Sequence, residues 1–269
     1  LRKQDKEEFE IVVVVNAVPC GRAHNIGVEN SRGRRIVFID DDVRIKHGHV
    51  IRRITDFLDD ESIGICGASQ IPPPDSNNFQ QRCSRQIGRA RFDEVDRFTL
   101  TDMATHACMA IRKKTYREVS GEDENMFRND DSFLRYKVAS INLKTGVAPN
   151  SAVYHPMPSS IFKLIKTRFV SGKFYSYDYR YHSENIIDTP LQKGEEIEKS
   201  SFFKQVMKNI GVFSGSILSG RYLEAISRTA MWAGFLFGLM LNREYFEKKK
   251  KKEKRIRKYL KKKKRVCEI

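Results

Sequence analysis

The chain has 269 residues, 40% of them hydrophobic, which is enough apolar material for one sizeable core and rules out disorder throughout. Lys and Arg number 50 against 34 Asp and Glu, a formal charge of +16, but residues 243–265 hold fifteen Lys and Arg against Glu244, Glu247 and Glu253. That tail carries +12, the body keeps only +4, and a nucleic-acid reading based on overall charge loses most of its force.

Five scattered cysteines (Cys20, Cys66, Cys83, Cys108 and Cys267) form no CxxC pair, so neither a zinc module nor a disulfide-stapled secreted module is indicated. A reducing, cytosolic setting is the simpler reading. No secretory signal precedes the first apolar run, and the chain opens at Leu1, which leaves room for a missing N-terminal segment.

In chain order, residues 9–15 (FEIVVVV) read as a strand buried on both faces of a parallel sheet. Residues 22–32 follow as a helix ending at Gly33, and residues 36–39 (IVFI) as a second buried strand running directly into Asp40, Asp41 and Asp42. Residues 49–58 have helical spacing, 63–67 a short strand, 72–78 a Pro-rich loop and 107–111 another strand. A helix over 130–139 precedes two strand segments at 141–147 and 152–154. This alternation predicts an α/β domain with a mainly parallel sheet over 1–158. Long aromatic-rich helical patterns occupy 159–242, with a polar break at 183–200, and a polybasic tail fills 243–269.

Three adjacent carboxylates at the carboxyl end of a buried strand repel one another, and a cation is the natural way to offset them. Ligands of open α/β sheets bind at that end of the strands, and hard oxygen ligands suit Mg²⁺ or Mn²⁺. The same triplet is also compatible with a solvated turn or a cap before the next helix.

The segment RAHNIGV at 22–28, then Gly33, then IVFIDDDV at 36–43 resembles the central signature of family 2 glycosyltransferases of the GT-A fold. Three further blocks follow in the family's order: GEDE at 121–124, FRNDDSFLRYK at 127–137 and APNSAVYH at 148–155. The resemblance implies a Rossmann-like sheet with helices on both faces and sugar transfer from a nucleotide-diphosphate sugar. It implies that Asp40, Asp42 and His155 hold the metal, and that Asp40, Asp41, Arg22 and Asn25 meet the donor. By the same pattern Asp131 is the base that takes the acceptor proton and Asp130 orients it, although which of the two faces the acceptor stays open. Each residue also has an ordinary reading: Asp130 and Asp131 cap their helix, and His155 is a hydrogen-bonded surface residue. The strand THACM at 105–109 resembles the acceptor side of the family, and Arg168 and Lys173 either pair with phosphate or form the solvated face of a helix.

The family opens with an apolar strand that holds the base, and no such strand precedes Phe9. Residues 4–16 therefore correspond to the family's second strand, with the next one shortened, or to its third, and a truncated chain lacking base-binding residues is expected. Downstream, the longest uncharged stretch, 229–242, has fourteen residues, whereas crossing a bilayer takes about twenty. An amphipathic helix with a lysine cluster suits peripheral attachment to an anionic cytoplasmic membrane surface, beside a glycan or lipid-linked acceptor such as a cell-envelope polysaccharide precursor. Alternatively Trp232, Phe235, Phe237, Leu239 and Leu241 pack on the body or on a second subunit. The expected function is a metal-dependent, inverting transfer from a UDP- or GDP-sugar, with no specific nucleic acid as partner. The rival readings are a non-catalytic membrane-surface or nucleic-acid adaptor, and a nucleotidyltransferase.

Overall fold

The computed structural model describes residues 3–5, 8–87, 93–128, 130–183 and 202–246. Its elements follow the chain as α1 (Cys20–Asn30), β1 (Arg35–Ile39), β2 (Arg44–Ile45), α2 (Val50–Asp56) with a 3-10 turn (Phe57–Asp59), β3 (Ile63–Ile71), α3 (Asn78–Gln86), β4 (Thr99–Leu100), β5 (Cys108–Arg112), α4 (Lys113–Glu118), α5 (Asp130–Ser140), β6 (Lys144–Tyr154), α6 (Ile161–Tyr181), α7 (Phe202–Leu218) and α8 (Tyr222–Leu239). The sheet order is β1-β5-β3-β6-β2, with β4 paired to β6. β3 and β6 pair in parallel, and β5 runs antiparallel to both β1 and β3. Three of the long strands, β1, β3 and β6, therefore share one direction.

The two-residue period of the strands divides the core into two layers. Ile36 and Phe38 of β1, Ile65 of β3, and Met109 and Ile111 of β5 meet Val28 of α1, Tyr116 of α4, and Leu134 and Val138 of α5 on one face. On the other, Cys66, Cys108, Ala110 and Val153 meet Val50 and Ile54 of α2, with Val37 and Ile39 packed against them. Helices thus cover both faces, and the carboxyl ends of β1, β3 and β6 emerge between the layers.

The expected strand over residues 9–15 is not formed. Ile11, Val13 and Val15 are 56%, 76% and 61% exposed, and no ladder pairs with the segment among the described residues. A parallel strand needs backbone partners at its edge, and here the chain is tied by a side chain instead. Glu10 accepts the backbone N–H groups of Arg32 and Gly33, at 3.0 Å for Gly33, so the segment lies against the loop between α1 and β1. The Pro-rich loop is present over 72–77 and leads into a helix beyond the expected elements, α3, started by a capping box in which Asn77 Oδ1 accepts from Gln80 N at 2.8 Å and Gln80 Oε1 accepts from Asn77 N at 3.0 Å. The segments 141–147 and 152–154 join into the single strand β6, whose register against β3 shifts across a bulge between Gly67 and Ser69 while Asn150 turns to φ 48°.

Beyond β6, α6 and α8 pack backbone to backbone. A methyl group on Gly172 would overlap the Met231 carbonyl oxygen, one on Gly234 the Phe169 carbonyl oxygen, and one on Gly238 the Ser176 hydroxyl. Phe235 is buried where it meets Tyr175, Tyr179 and Trp232, whereas Phe237 is 45% exposed. Among the described residues no helix is long and apolar enough to cross a membrane. Most of the polar break, residues 184–200, and the tail from 247 onward, including Cys267, lie outside the described residues.

Because the two helices approach too closely for a side chain, Gly172→Ala and Gly234→Ala should each destabilise the protein by about 1–3 kcal/mol. Gly211→Ala in α7, where an added methyl meets nothing within 4 Å, should instead stabilise by up to about 1 kcal/mol through helix propensity. Urea unfolding of the three variants checks both signs.

Candidate functional site

β1 delivers Asp40, Asp41 and Asp42 to the carboxyl edge of the sheet. Pairing just beyond the turn fixes its position: β2 runs antiparallel to the end of β6, Arg44 opposite Tyr154, and the next residue, His155, donates its backbone N–H to Ile71 O at 3.0 Å. His155 Nε2 then stands 3.5 Å from Asp42 Oδ1. One ligand atom each from Asp40, Asp42 and His155 lie within 4.8 Å of one another, so the three residues expected to hold a metal are brought together. Burial pushes the Asp40 carboxyl above its ordinary range, with Asp42 and Asp41 adding to the rise while His106 and His155 oppose it. Asp41 is exposed in the same turn. A divalent cation would relieve the repulsion, and two carboxylates with one imidazole form a donor set that Mn²⁺ or Mg²⁺ accepts.

The second acidic set opens α5. Asp131 Oδ1 accepts the Ser132 N–H at 2.8 Å, and its Oδ2 lies 3.3 Å from the guanidinium of Arg135, one turn along the helix. Arg135 is 1% exposed, and it also donates to the Ala104 carbonyl at 3.0 Å and to Ser132 Oγ at 3.1 Å. Burial works to raise the Asp131 carboxyl, but Arg135 foremost and His106 next outweigh it and hold the group below its ordinary value of 3.8. Asp130 goes the other way: burial and the Asp131 charge lift it, against the pull of His106. One member of the pair is therefore firmly ionised and the other is the more readily protonated.

Arg22 and Asn25 of α1 both face the turn at 121–124. Arg22 Nε lies 3.9 Å from Glu124 Oε2 at the surface. The Asn25 amide is fully engaged: Nδ2 donates to Glu122 O at 3.0 Å and Glu124 Oε1 at 3.1 Å, while Oδ1 accepts from Tyr116 Oη at 2.6 Å and Glu122 N at 2.9 Å. All four of its hydrogen-bonding positions are filled from within the protein, so its side chain pins the turn and has none left for a ligand. Gly121 at the head of this turn has φ 57°, and an added methyl would meet Asn25 Oδ1.

Three neighbours of these residues, His24, His106 and Glu122, fall inside the segments RAHNIGV, THACM and GEDE but are not singled out there as site residues. His106, in the loop before β5, is 7% exposed, with Nε2 2.8 Å from Oε1 of Glu122, itself 4% exposed. His24 of α1 stacks on His106 with ring centroids 4.0 Å apart. Burial lowers the His106 imidazole, but Glu122 foremost, with Asp130 and Asp131, carries it up to about 9. His106 is thus the cation shared by Asp40, Asp130, Asp131 and Glu122. No local pattern distinguishes it, because its partners come from three other segments. Arg135 does carry a signal, a basic residue four positions after an acid on one helix.

Asp178 of α6 completes the frame. It is 0% exposed, and its carboxylate oxygens accept the N–H groups of Phe127 at 2.8 Å and Arg128 at 2.6 Å, the residues leading into α5. Burial lifts its carboxyl to about 8, against those two backbone donors. Lys173, on the same helix, meets the Tyr245 hydroxyl at 3.2 Å.

Residues 4–170 match the protein family described as "Glycosyltransferase like family 2". No curated protein sequence matches the chain. Among solved structures it is similar to the mannosyltransferase PcManGT from Pyrobaculum calidifontis, solved with GDP-Man and Mn²⁺, with 11% identity, 82% of this chain and 66% of that one covered, and a TM-score of 0.49. It is also similar to GalNAc-T7, solved with UDP, GalNAc and Mn²⁺, with 12% identity, 70% and 40% covered, and a TM-score of 0.38. The chain therefore spans 66% and 40% of the lengths of these two proteins. The family match spans the α/β body, whose helix-covered sheet is the architecture that the motifs implied.

Replacing Arg135 with Met should cost about 3 kcal/mol, because it strands the Asp131 carboxylate and leaves the Ala104 carbonyl without its donor. The sign with pH follows from the depressed Asp131 carboxyl. The advantage of the wild type is complete above the ordinary value of 3.8 and fades as the pH falls below it through the folded-state value. Unfolding free energies of both proteins measured from pH 7 down to pH 3 test this.

Proposed function

Because the chain belongs to the family 2 glycosyltransferase-like proteins, we propose that it transfers a sugar from a nucleotide-diphosphate donor, UDP- or GDP-linked, to an acceptor hydroxyl in a metal-dependent, inverting reaction. Asp40, Asp42 and His155 would hold Mn²⁺ or Mg²⁺, which when bound neutralises charge on the leaving diphosphate. Asp41 and Arg22 are the residues offered to the donor, whereas the filled amide of Asn25 gives it a positioning role through the 121–124 turn. Asp131 accepts the acceptor's proton as the hydroxyl oxygen attacks the anomeric carbon from the face opposite the diphosphate. The new carbon–oxygen bond forms as the bond to the diphosphate breaks. The observation that supports this reading is the convergence of the two acidic sets on His106, which couples to Asp40 on one side and to Asp130 and Asp131 on the other.

The acceptor we favour is a glycan or lipid-linked hydroxyl at the inner face of an anionic cytoplasmic membrane. In α7 the apolar residues Met207, Ile210, Phe213 and Ile217 are 52%, 53%, 38% and 43% exposed at spacings of three and four, which puts them along one side of the helix. The basic tail follows, each Lys or Arg contributing on the order of 1 kcal/mol at a negatively charged surface.

Asp131→Asn should keep donor affinity and lower the transfer rate about 10²- to 10⁴-fold, whereas Asp40→Asn with Asp42→Asn should abolish Mn²⁺-dependent transfer and donor hydrolysis. If Asp130→Asn alone stops turnover, the two roles are exchanged, and full activity in all variants removes the assignment. Release of a nucleoside diphosphate identifies sugar transfer, and release of pyrophosphate identifies a nucleotidyltransferase instead. The full chain should float with phosphatidylserine vesicles, and loss of residues 247–269, which spares the buried Phe246, should release it while soluble turnover continues. An adaptor would have no turnover to keep.

A further inference from the structure

Behind the acidic turn lies a second group of metal-type side chains, of which the proposed transfer reaction draws only on the charge of His106. His24, His106 and Glu122 offer one ligand atom each within 4.8 Å of one another. His106 Nε2 is 2.8 Å and His24 Nδ1 3.9 Å from Glu122 Oε1, distances that straddle the separation of about 3.3 Å between neighbouring ligands of a tetrahedral zinc ion. Two of the polar atoms here are buried without a hydrogen-bond partner: His24 Nδ1 and Glu122 Oε2. Unpaired buried acceptors of this kind are costly, and a single cation beside Glu122 satisfies both. The Glu122 side chain is 1% exposed, so the unpaired oxygen has no solvent to turn to.

We propose that His24, His106 and Glu122 form a second metal site, selective for a zinc-type transition ion and separate from the Asp40–Asp42–His155 set. Two imidazoles and one carboxylate suit Zn²⁺, whereas Mg²⁺ and Ca²⁺ prefer oxygen ligands throughout. The ion would join α1, the loop before β5 and the 121–124 turn, the first and last of which are also linked through Asn25. His24, driven down to about 3 by burial and by His106, is neutral and has its ring lone pair available. The competitor is a proton: the His106 Nε2 hydrogen bonded to Glu122 sits where the ion would bind, so binding must expel it.

The test uses the full chain with excess Mg²⁺ present to occupy hard-ligand sites. Titration with Zn²⁺ by calorimetry should show a site that persists in Asp42→Asn, with about one proton released per ion, and Co²⁺ should give the visible absorption of tetrahedral coordination. His24→Asn and Glu122→Gln should each weaken Zn²⁺ at least about tenfold and abolish the tetrahedral Co²⁺ spectrum, whereas Asp42→Asn should leave both unchanged. Circular dichroism and the unfolding midpoint check that the variants are folded. His24, the more accessible position, serves if Glu122→Gln does not fold. Zinc binding that survives His24→Asn, disappears with Asp42→Asn, or is absent from the wild type overturns the proposal.

Discussion

Offsetting negative charge at the carboxyl edge of the sheet is the constraint on which the site depends. Asp40, Glu122, Asp130 and Asp131 all lie within electrostatic reach of one buried imidazole, His106, and Asp131 also has the Arg135 guanidinium at 3.3 Å. Carboxylates brought this close either share a counter-charge or neutralise by taking up protons. Their positions are therefore set by where positive charge is available. Arg135 is buried because it must face Asp131 from one helical turn away, and His106 is buried because it must face four acids contributed by three segments.

Hydrogen bonds to the backbone supply the second requirement, a fixed geometry for those charges. The Asn25 amide closes the turn that carries Glu122, and Lys137 of α5 donates to the carbonyl of Gly121 in the same turn. Asp178 then holds the two N–H groups just ahead of α5. Helix α1, the 121–124 turn, α5 and α6 thus brace one another through side chains that meet backbone, and the carboxylates stand at the junctions. Such positioning by packed, fully bonded neighbours is what lets acid and base groups keep one geometry.

Local pattern makes part of this legible. The IVFI run, the acids that end it and the helix opening at Asp130 are short-range features, and the structure has them as β1, its terminal turn and α5. Residues 9–15 have strand composition for the same reason, yet a strand exists only with a partner, and composition says nothing about whether one is present. The capping box that joins Asn77 to Gln80 is also a short-range signal, but the prolines ahead of it favour a loop and mask it. His24, His106 and Glu122 come together over separations of up to 98 positions, and Asp178 reaches back 51 positions to Phe127. Spacing rules that work within a turn or a strand do not extend so far.

That last contact also bears on the order in which the molecule takes shape. During synthesis the loop at 126–128 leaves the ribosome some fifty residues before the carboxylate that restrains it. Pairings separated this widely in the chain pay their loop-closure entropy late, so the sheet and its two covering layers can be in place while the entrance to α5 is still unrestrained. The approach to the acidic pair is restrained from this side once α6 docks, which places the entrance to α5 among the later parts of the fold to mature.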